Sequence, residues 1–253
     1  MASNTVVIFD TPSRDDKTWS HHVLRILFSL HYKGISYSVE SVEYPDIVST
    51  FEPTTLKPKD DLVEPYEIPV IKLQTSAGIP QYHMLIPEII QALENIKPEP
   101  SLLYNSPRSV EFRSRFGKAL VPILQLAVGH VPNILSDRST EFFRQKRKNR
   151  WGKSVDEWIV EHPIKEGLAL AEPRLKELGD WIELTPGPFI DGEHPGYVDF
   201  TIASILGYVK AIGLTDAFDQ LLGMSPSVNK LYNAVGLSQQ GNIRSQSLFS
   251  TGE

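Results

Sequence analysis

The apolar pattern of the chain changes period once, near residue 97, and that change restricts it to a two-part architecture. Before it, strand-like and helix-like stretches alternate. Thr5-Val6-Val7-Ile8-Phe9 is a β-branched run that reads as a buried strand. Val23, Ile26, Leu27, Leu30 and Tyr32 recur near helical spacing, with Gly34 placed to end the helix. Tyr37-Ser38-Val39-Glu40-Ser41-Val42 alternates as a second strand, and residues 46–51 suit a short helix. Pro53, Pro58 and Pro65 then enforce loop. Val70-Ile71-Lys72-Leu73 and Tyr82-His83-Met84-Leu85 read as two strands joined by a turn at Ser76-Ala77-Gly78. Pro87 opens a helix whose apolar face is Ile89, Ile90 and Leu93. The order is βαβαββα.

The proline-rich stretch from Lys97-Pro98-Glu99-Pro100 to Ser106-Pro107 is a linker, and strand patterns stop there. Residues 109–135 read as one long amphipathic helix carrying Pro122, and residues 140–152 as a charged helix. Ile164–Ile182 places Leu168, Ala171, Leu175, Leu178 and Trp181 on one face. Residues 200–212 are nearly all apolar and suit a buried central helix, and residues 217–234 hold at least one more. The expected class is α/β followed by all-α: a domain over 1–97, a linker over 98–108 and a helical domain over 109–253.

Composition removes several function classes. Net charge is −6, which disfavours general nucleic-acid affinity. With no cysteine, disulfides, thiolate metal sites and a cysteine nucleophile are excluded. The segment MASNTVVIFD lacks the basic and apolar regions of a signal peptide. The longest apolar stretch, 119–128, is short of the roughly 20 residues a membrane span needs. A cytoplasmic protein is the expectation. Neither a Walker A motif nor a dinucleotide glycine fingerprint is present, and Ser227-Val228-Asn229-Lys230 is an isolated chance match to S-x-x-K.

Three local motifs resemble the glutathione transferase superfamily. Tyr66-Glu67-Ile68-Pro69-Val70-Ile71 matches the turn where the family has a cis proline and where the next residue's backbone pairs with the cysteinyl part of glutathione. Gly196-Tyr197-Val198-Asp199-Phe200-Thr201-Ile202-Ala203-Ser204 resembles the capping box of the family's buried helix, with Asp199 at N3 and Gly196 at the N-cap. Trp19-Ser20 with Arg25, followed by His31-Tyr32-Lys33-Gly34-Ile35 and Val42-Glu43-Tyr44-Pro45-Asp46-Ile47, resembles the fungal FuA and lignin β-etherase branch. The resemblance implies a thioredoxin-like domain, a helical domain, glutathione as cofactor and a homodimer. Trp19, Ser20, His21 and His22 stand where that branch carries Trp-Ser-Pro-Asn. One position departs: Leu85-Ile86 replace the Glu-Ser or Asp-Ser pair that binds the γ-glutamyl group at a helix N-terminus. Neither side chain hydrogen-bonds. Lys57, Lys59 and Glu88 are the candidate substitutes.

The candidate site residues carry competing readings. Ser20 is either a helix cap or a hydroxyl donor which, with the positive helix end, favours thiolate over thiol. His22 either takes the asparagine's place beside sulfur, as donor or acid/base, or is a surface histidine. Adjacent histidines on a helix diverge by about 100° and match no metal spacing, so no metal is expected. The basic run Arg144 to Arg150 has five charges in seven residues. It reads as a solvated face first, and as an anion-attracting site mouth second. Phe112, Phe116, Leu120, Ile123 and Leu124 are core by spacing, while the resemblance makes that helix one wall of the electrophile pocket, with Arg113, Phe116 and Leu120 as contacts and Arg115 nearby.

The function implied is a glutathione-dependent transferase or isomerase acting on a hydrophobic electrophile, in fungal secondary metabolism. Conjugation, ether cleavage and cis–trans isomerisation are the candidate reactions. Leu85-Ile86 favours the competing class, a non-catalytic protein binding a ligand or partner in the same cleft.

Overall fold

The structure is a computed structural model that describes residues 5–60, 64–74 and 78–238. The first part holds a four-stranded sheet in the order β2-β1-β3-β4, from β1 (Thr5–Asp10), β2 (Tyr37–Ser41), β3 (Val70–Gln74) and β4 (Gln81–His83). β1 runs parallel to β2 and antiparallel to β3, and β3 is antiparallel to β4. The parallel pair needs a crossover, which α1 (His21–Tyr32) supplies. Alternate residues of β1 feed two cores. Val6 and Ile8 pack with α1 and with α3 (Ile86–Ile96), whereas Val7 and Phe9 pack with α2 (Ile47–Phe51) on the other face. The expected βαβαββα order is present. The expected turn at Ser76-Ala77 falls outside the described residues.

The second part is helical: α4 (Pro107–Arg115), α5 (Val121–Val128), α6 (Asp137–Trp151), α7 (Val155–Glu161), α8 (Ile164–Ile182), α9 (Tyr197–Ala211), α10 (Thr215–Gly223) and α11 (Pro226–Ser238). Two expectations are corrected. The single helix expected over 109–135 is two helices and a short 3₁₀ segment, Val131–Ile134. Pro122 has no N–H to give Lys118, and its ring clashes with the carbonyl four residues back, so residues 116–120 turn instead. The second omission is α7, which begins at a capping box in which Ser154 and Glu157 bond reciprocally.

Asp199 behaves as expected. One oxygen accepts from the Gly196 N–H at 2.7 Å and the other from the Ile190 N–H at 2.9 Å. α9 is almost wholly buried and packs against α1, so the helix that presents Ser20 rests on the core of the helical part. Lys33, fully buried at the end of α1, donates to Glu94 of α3 at 2.9 Å and to the Pro100 carbonyl at 2.8 Å, fixing the linker beside both helices.

Candidate active site in the interdomain cleft

A cleft of about 470 Å³ opens between the N-terminus of α1 and the helical part. Trp19, Ser20, His22 and Ile68 form its sheet-side wall, with Tyr44, Glu64 and Glu67 at the edge. Leu124, Gln125 and Val128 of α5, Lys146, Arg147, Arg150 and Trp151 of α6 and Trp158 of α7 form the opposite wall.

Ser20 occupies the N-cap of α1, yet its side chain makes no capping bond; its carbonyl instead accepts from the Val23 and Leu24 N–H groups. The capping alternative is therefore corrected, and the half-buried hydroxyl faces the cleft uncommitted. At the next turn Arg25 Nη2 donates to His22 Nδ1 at 2.5 Å. A guanidinium has no acceptor, so Nδ1 must carry the lone pair and the neutral ring holds its proton on Nε2. His22 opens to solvent on one side. The cleft walls first, then Arg25 and Arg147, disfavour its charged form and pull it down to about 3. It is a neutral Nε2–H donor, and with Nδ1 occupied it has no lone pair free to act as a base.

His21 does not diverge from His22 as expected. The rings are in contact, with centroids 3.9 Å apart and planes tilted by 38°, and His21 also packs on Tyr208 of α9 at 5.4 Å. Burial, then His22 and Arg25, hold His21 well below the ordinary histidine range. It backs the site without lining it. Trp19 is buried and leans on Tyr208 at 6.1 Å, with no partner for its Nε1–H among the described residues.

The Ile68-Pro69 bond is cis, as expected. Ile68 faces the cleft, while Val70 is fully buried and pairs with Phe9 in the sheet. Leu85 is the N-cap of α3 without a side-chain bond, and Ile86 is its first residue. Lys57, Lys59, Leu85 and Glu88 line a separate trough of about 940 Å³ between the loop after α2, β4 and α3. Lys59 is already paired with Glu67 at 2.7 Å.

The expected electrophile contacts are also corrected. Arg113 is exposed and bonded to the Tyr104 carbonyl at 2.6 Å, with its guanidinium 4.5 Å from the Tyr104 ring. Arg115 pairs with Glu111 and Glu177. Phe116 and Leu120 are buried core, Phe116 packing on Phe112 and Trp181. The turn at 116–120 swings the chain, so α5 offers Leu124, Gln125 and Val128 to the cleft instead.

The basic run turns out to be the cleft's far wall. Lys146, Arg147 and Arg150 all line it; the first two are half-buried, reversing the solvated-face reading for them, while Arg150 stays exposed at its rim. Lys146 and Arg150 share Glu64 at 3.2 and 3.7 Å, and Arg144 pairs outside the cleft with Asp156. Burial pulls Lys146 below its ordinary value, opposed by Glu64. Trp151 stacks on Trp158 at 4.1 Å, Trp158 stacks on His162 at 3.9 Å, and the Trp158 Nε1–H donates to the Gln125 carbonyl. Sequence reasoning missed the two tryptophans and Glu64; the capping box at Ser154 was the signal that could have placed Trp158 on a helix.

Comparison with known proteins agrees with this arrangement. Residues 111–220 match the family model of the glutathione S-transferase C-terminal domain. The glutathione S-transferase-like protein ustS of Aspergillus flavus is 27% identical over 216 residues, 79% of this chain and 78% of that protein. Two fungal crystal structures share the fold. Glutathione S-transferase CsGST83044 of Ceriporiopsis subvermispora, solved with glutathione, has a TM-score of 0.76 at 21% identity, over 91% of this chain and 98% of that one. Glutathione transferase GSTFuA2 of Phanerochaete chrysosporium has a TM-score of 0.70 at 24% identity, over 93% and 98%. With the sheet order, the cis Ile68-Pro69 turn and the Asp199 cap beneath them, these matches make the chain similar to glutathione S-transferases in fold and, over residues 111–220, similar in sequence to their C-terminal domain.

Proposed function

We propose that the chain is a glutathione-dependent transferase or isomerase acting on a hydrophobic electrophile. The observation that carries the proposal is the pair of hydrogen-bond donors at the start of α1: the uncommitted Ser20 hydroxyl and the Nε2–H of His22, both opening on the cleft beside Ile68. On this reading residues 1–97 hold the tripeptide and residues 109–253 wall the electrophile. Bound glutathione would supply a thiolate nucleophile. Ser20 and His22 would donate to the sulfur, and the N-terminal end of α1 would add its partial positive charge. Ile68 would flank the cysteinyl group, with Trp19 behind it.

The glutamyl end fits less well, on three counts. Leu85 and Ile86 offer no side-chain bond, Pro87 removes a backbone donor, and Glu88 puts a carboxylate in the first turn of α3. A glutamyl carboxylate there would meet Glu88 and would depend on Lys57 or Lys59. This altered subsite supports a narrow role in a fungal biosynthetic route over broad detoxification; a cytoplasmic homodimer belongs to the same reading only through the resemblance. It also favours the second reading, a non-catalytic protein binding a ligand in the same cleft.

Calorimetric titration with glutathione separates the two. The enzyme reading expects binding at or below millimolar concentration, and a flat titration there would sink it. Ser20→Ala is expected to lower kcat/KM roughly ten- to hundred-fold, the scale of one hydrogen bond to a charged group. Unchanged turnover would remove Ser20 from the mechanism.

A further inference from the structure

The cations of α6 are not equivalent. Arg144, Lys146 and Arg150 each have a carboxylate within ion-pair distance. Arg147 has none among the described residues, and its Nε–H is buried without a partner. Its guanidinium lies instead over aromatic faces, 4.8 Å from the Phe143 ring and 5.2 Å from the Trp151 ring. Arginine cannot shed its proton to escape such a setting. A half-buried guanidinium with no counter-charge keeps a strong affinity for any anion that reaches it.

What else lines the wall narrows the choice of anion. Trp151 and Trp158 stack at 4.1 Å with their planes 21° apart, and the Trp158–Gln125 hydrogen bond and the His162 stack hold that pair in place. Leu124 and Val128 extend the apolar surface. The faces of the two indoles are taken up by each other, by His162 and by Arg147, so the cleft sets a cation among aromatic edges and the apolar side chains of Leu124 and Val128, opposite Ser20 and His22. A wholly polar anion would satisfy the charge but leave that apolar wall idle. A neutral apolar molecule would do the reverse.

We propose that the second substrate is a hydrophobic carboxylic acid. Arg147 holds its carboxylate, Leu124, Val128 and the edges of Trp151 and Trp158 cover its apolar part, and its electrophilic carbon is directed towards Ser20. The inference rests on the glutathione-dependent reading for the direction of that carbon. The carboxylate subsite itself can be tested without glutathione.

The test uses two matched acid and ester pairs, cinnamate with methyl cinnamate and ethacrynate with its methyl ester, titrated calorimetrically into the full chain without glutathione. At least one acid is expected to bind roughly ten- to hundred-fold more tightly than its ester. Arg147→Met is expected to abolish that preference, and Arg147→Lys to retain part of it, which separates charge loss from misfolding. The proposal is overturned if neither acid is preferred, or if the preference survives Arg147→Met. It is also overturned if Arg147→Met weakens glutathione while the acids and esters bind alike, because Arg147 would then belong to the tripeptide. A flat glutathione titration beside a clear acid preference would instead defeat the enzyme reading and leave the subsite standing.

Discussion

At His22 a single hydrogen bond decides what the ring can do. Arg25 can only donate, so it fixes the proton on Nε2, and the ring faces the cleft as a donor. Replacing His22 with Asn should therefore keep most of the thiolate stabilisation that His22→Ala loses. The same contact has a stability consequence. A histidine whose folded pKa lies below its unfolded value of about 6.5 stabilises the fold above that value and loses the contribution as pH falls. For His22 the window runs from about 6.5 down to about 3, and His21 shifts in the same direction. Asp199 works oppositely: burial pushes it up to about 7, so protonation favours the fold on acidification. The comparison between wild type and His22→Asn cancels that effect. Between about pH 7 and about pH 5 the wild type should lose more of its urea midpoint than the variant. Equal losses would show that His22 titrates in the fold as it does in the unfolded chain.

Single elements show where local signals suffice and where they do not. The box at the start of α9 was legible because Gly196 and Asp199 interact with the backbone three residues apart. Asp199→Ala should cost about 2–4 kcal/mol, since it removes a cap and strands two buried N–H donors; denaturant unfolding would measure it, and a loss under about 1 kcal/mol would contradict that account. The buried β-branched run of β1 and the even apolar face of α8 were legible for the same local reason. The break after α4 was not, although Pro122 marked it: an apolar pattern running through a proline looks continuous until the missing N–H is counted. The role of α6 was harder still. Its charges show no apolar face, and what turns Lys146 and Arg150 into a cleft wall is Glu64, some eighty residues earlier in the chain. Arg147 stands out only once its neighbours' partners are known. Phe116 and Leu120 illustrate the converse, since regular apolar spacing cannot separate core from pocket wall.

For the whole molecule, the position of α6 over the site depends on contacts between the two parts. Glu43, just before α2, accepts from the Ser136 hydroxyl at 2.8 Å and from the Ser139 hydroxyl, while the Tyr44 N–H donates to Ser139 Oγ at 3.1 Å. Ser136 is also the N-cap of α6, so one hydroxyl both starts the basic helix and ties it to the sheet part. The neighbouring Asp46–Arg138 pair is exposed and adds little. Glu43→Ala should lower stability by about 1–2 kcal/mol and raise KM for the electrophile more than for glutathione, because it loosens the far wall only. Steady-state kinetics with each substrate varied in turn would show it, and an equal rise in both would place the tie elsewhere.

The chain contains four tryptophans, and three of them, Trp19, Trp151 and Trp158, line the cleft. Only Trp181 sits apart, packed in the helical core against Phe112 and Phe116. The molecule's ultraviolet emission therefore originates largely where a ligand would arrive. The Trp151–Trp158 stack couples two indole transitions at contact distance. With Trp181 replaced by phenylalanine the protein becomes an optical gauge of its own cleft, carrying no added dye.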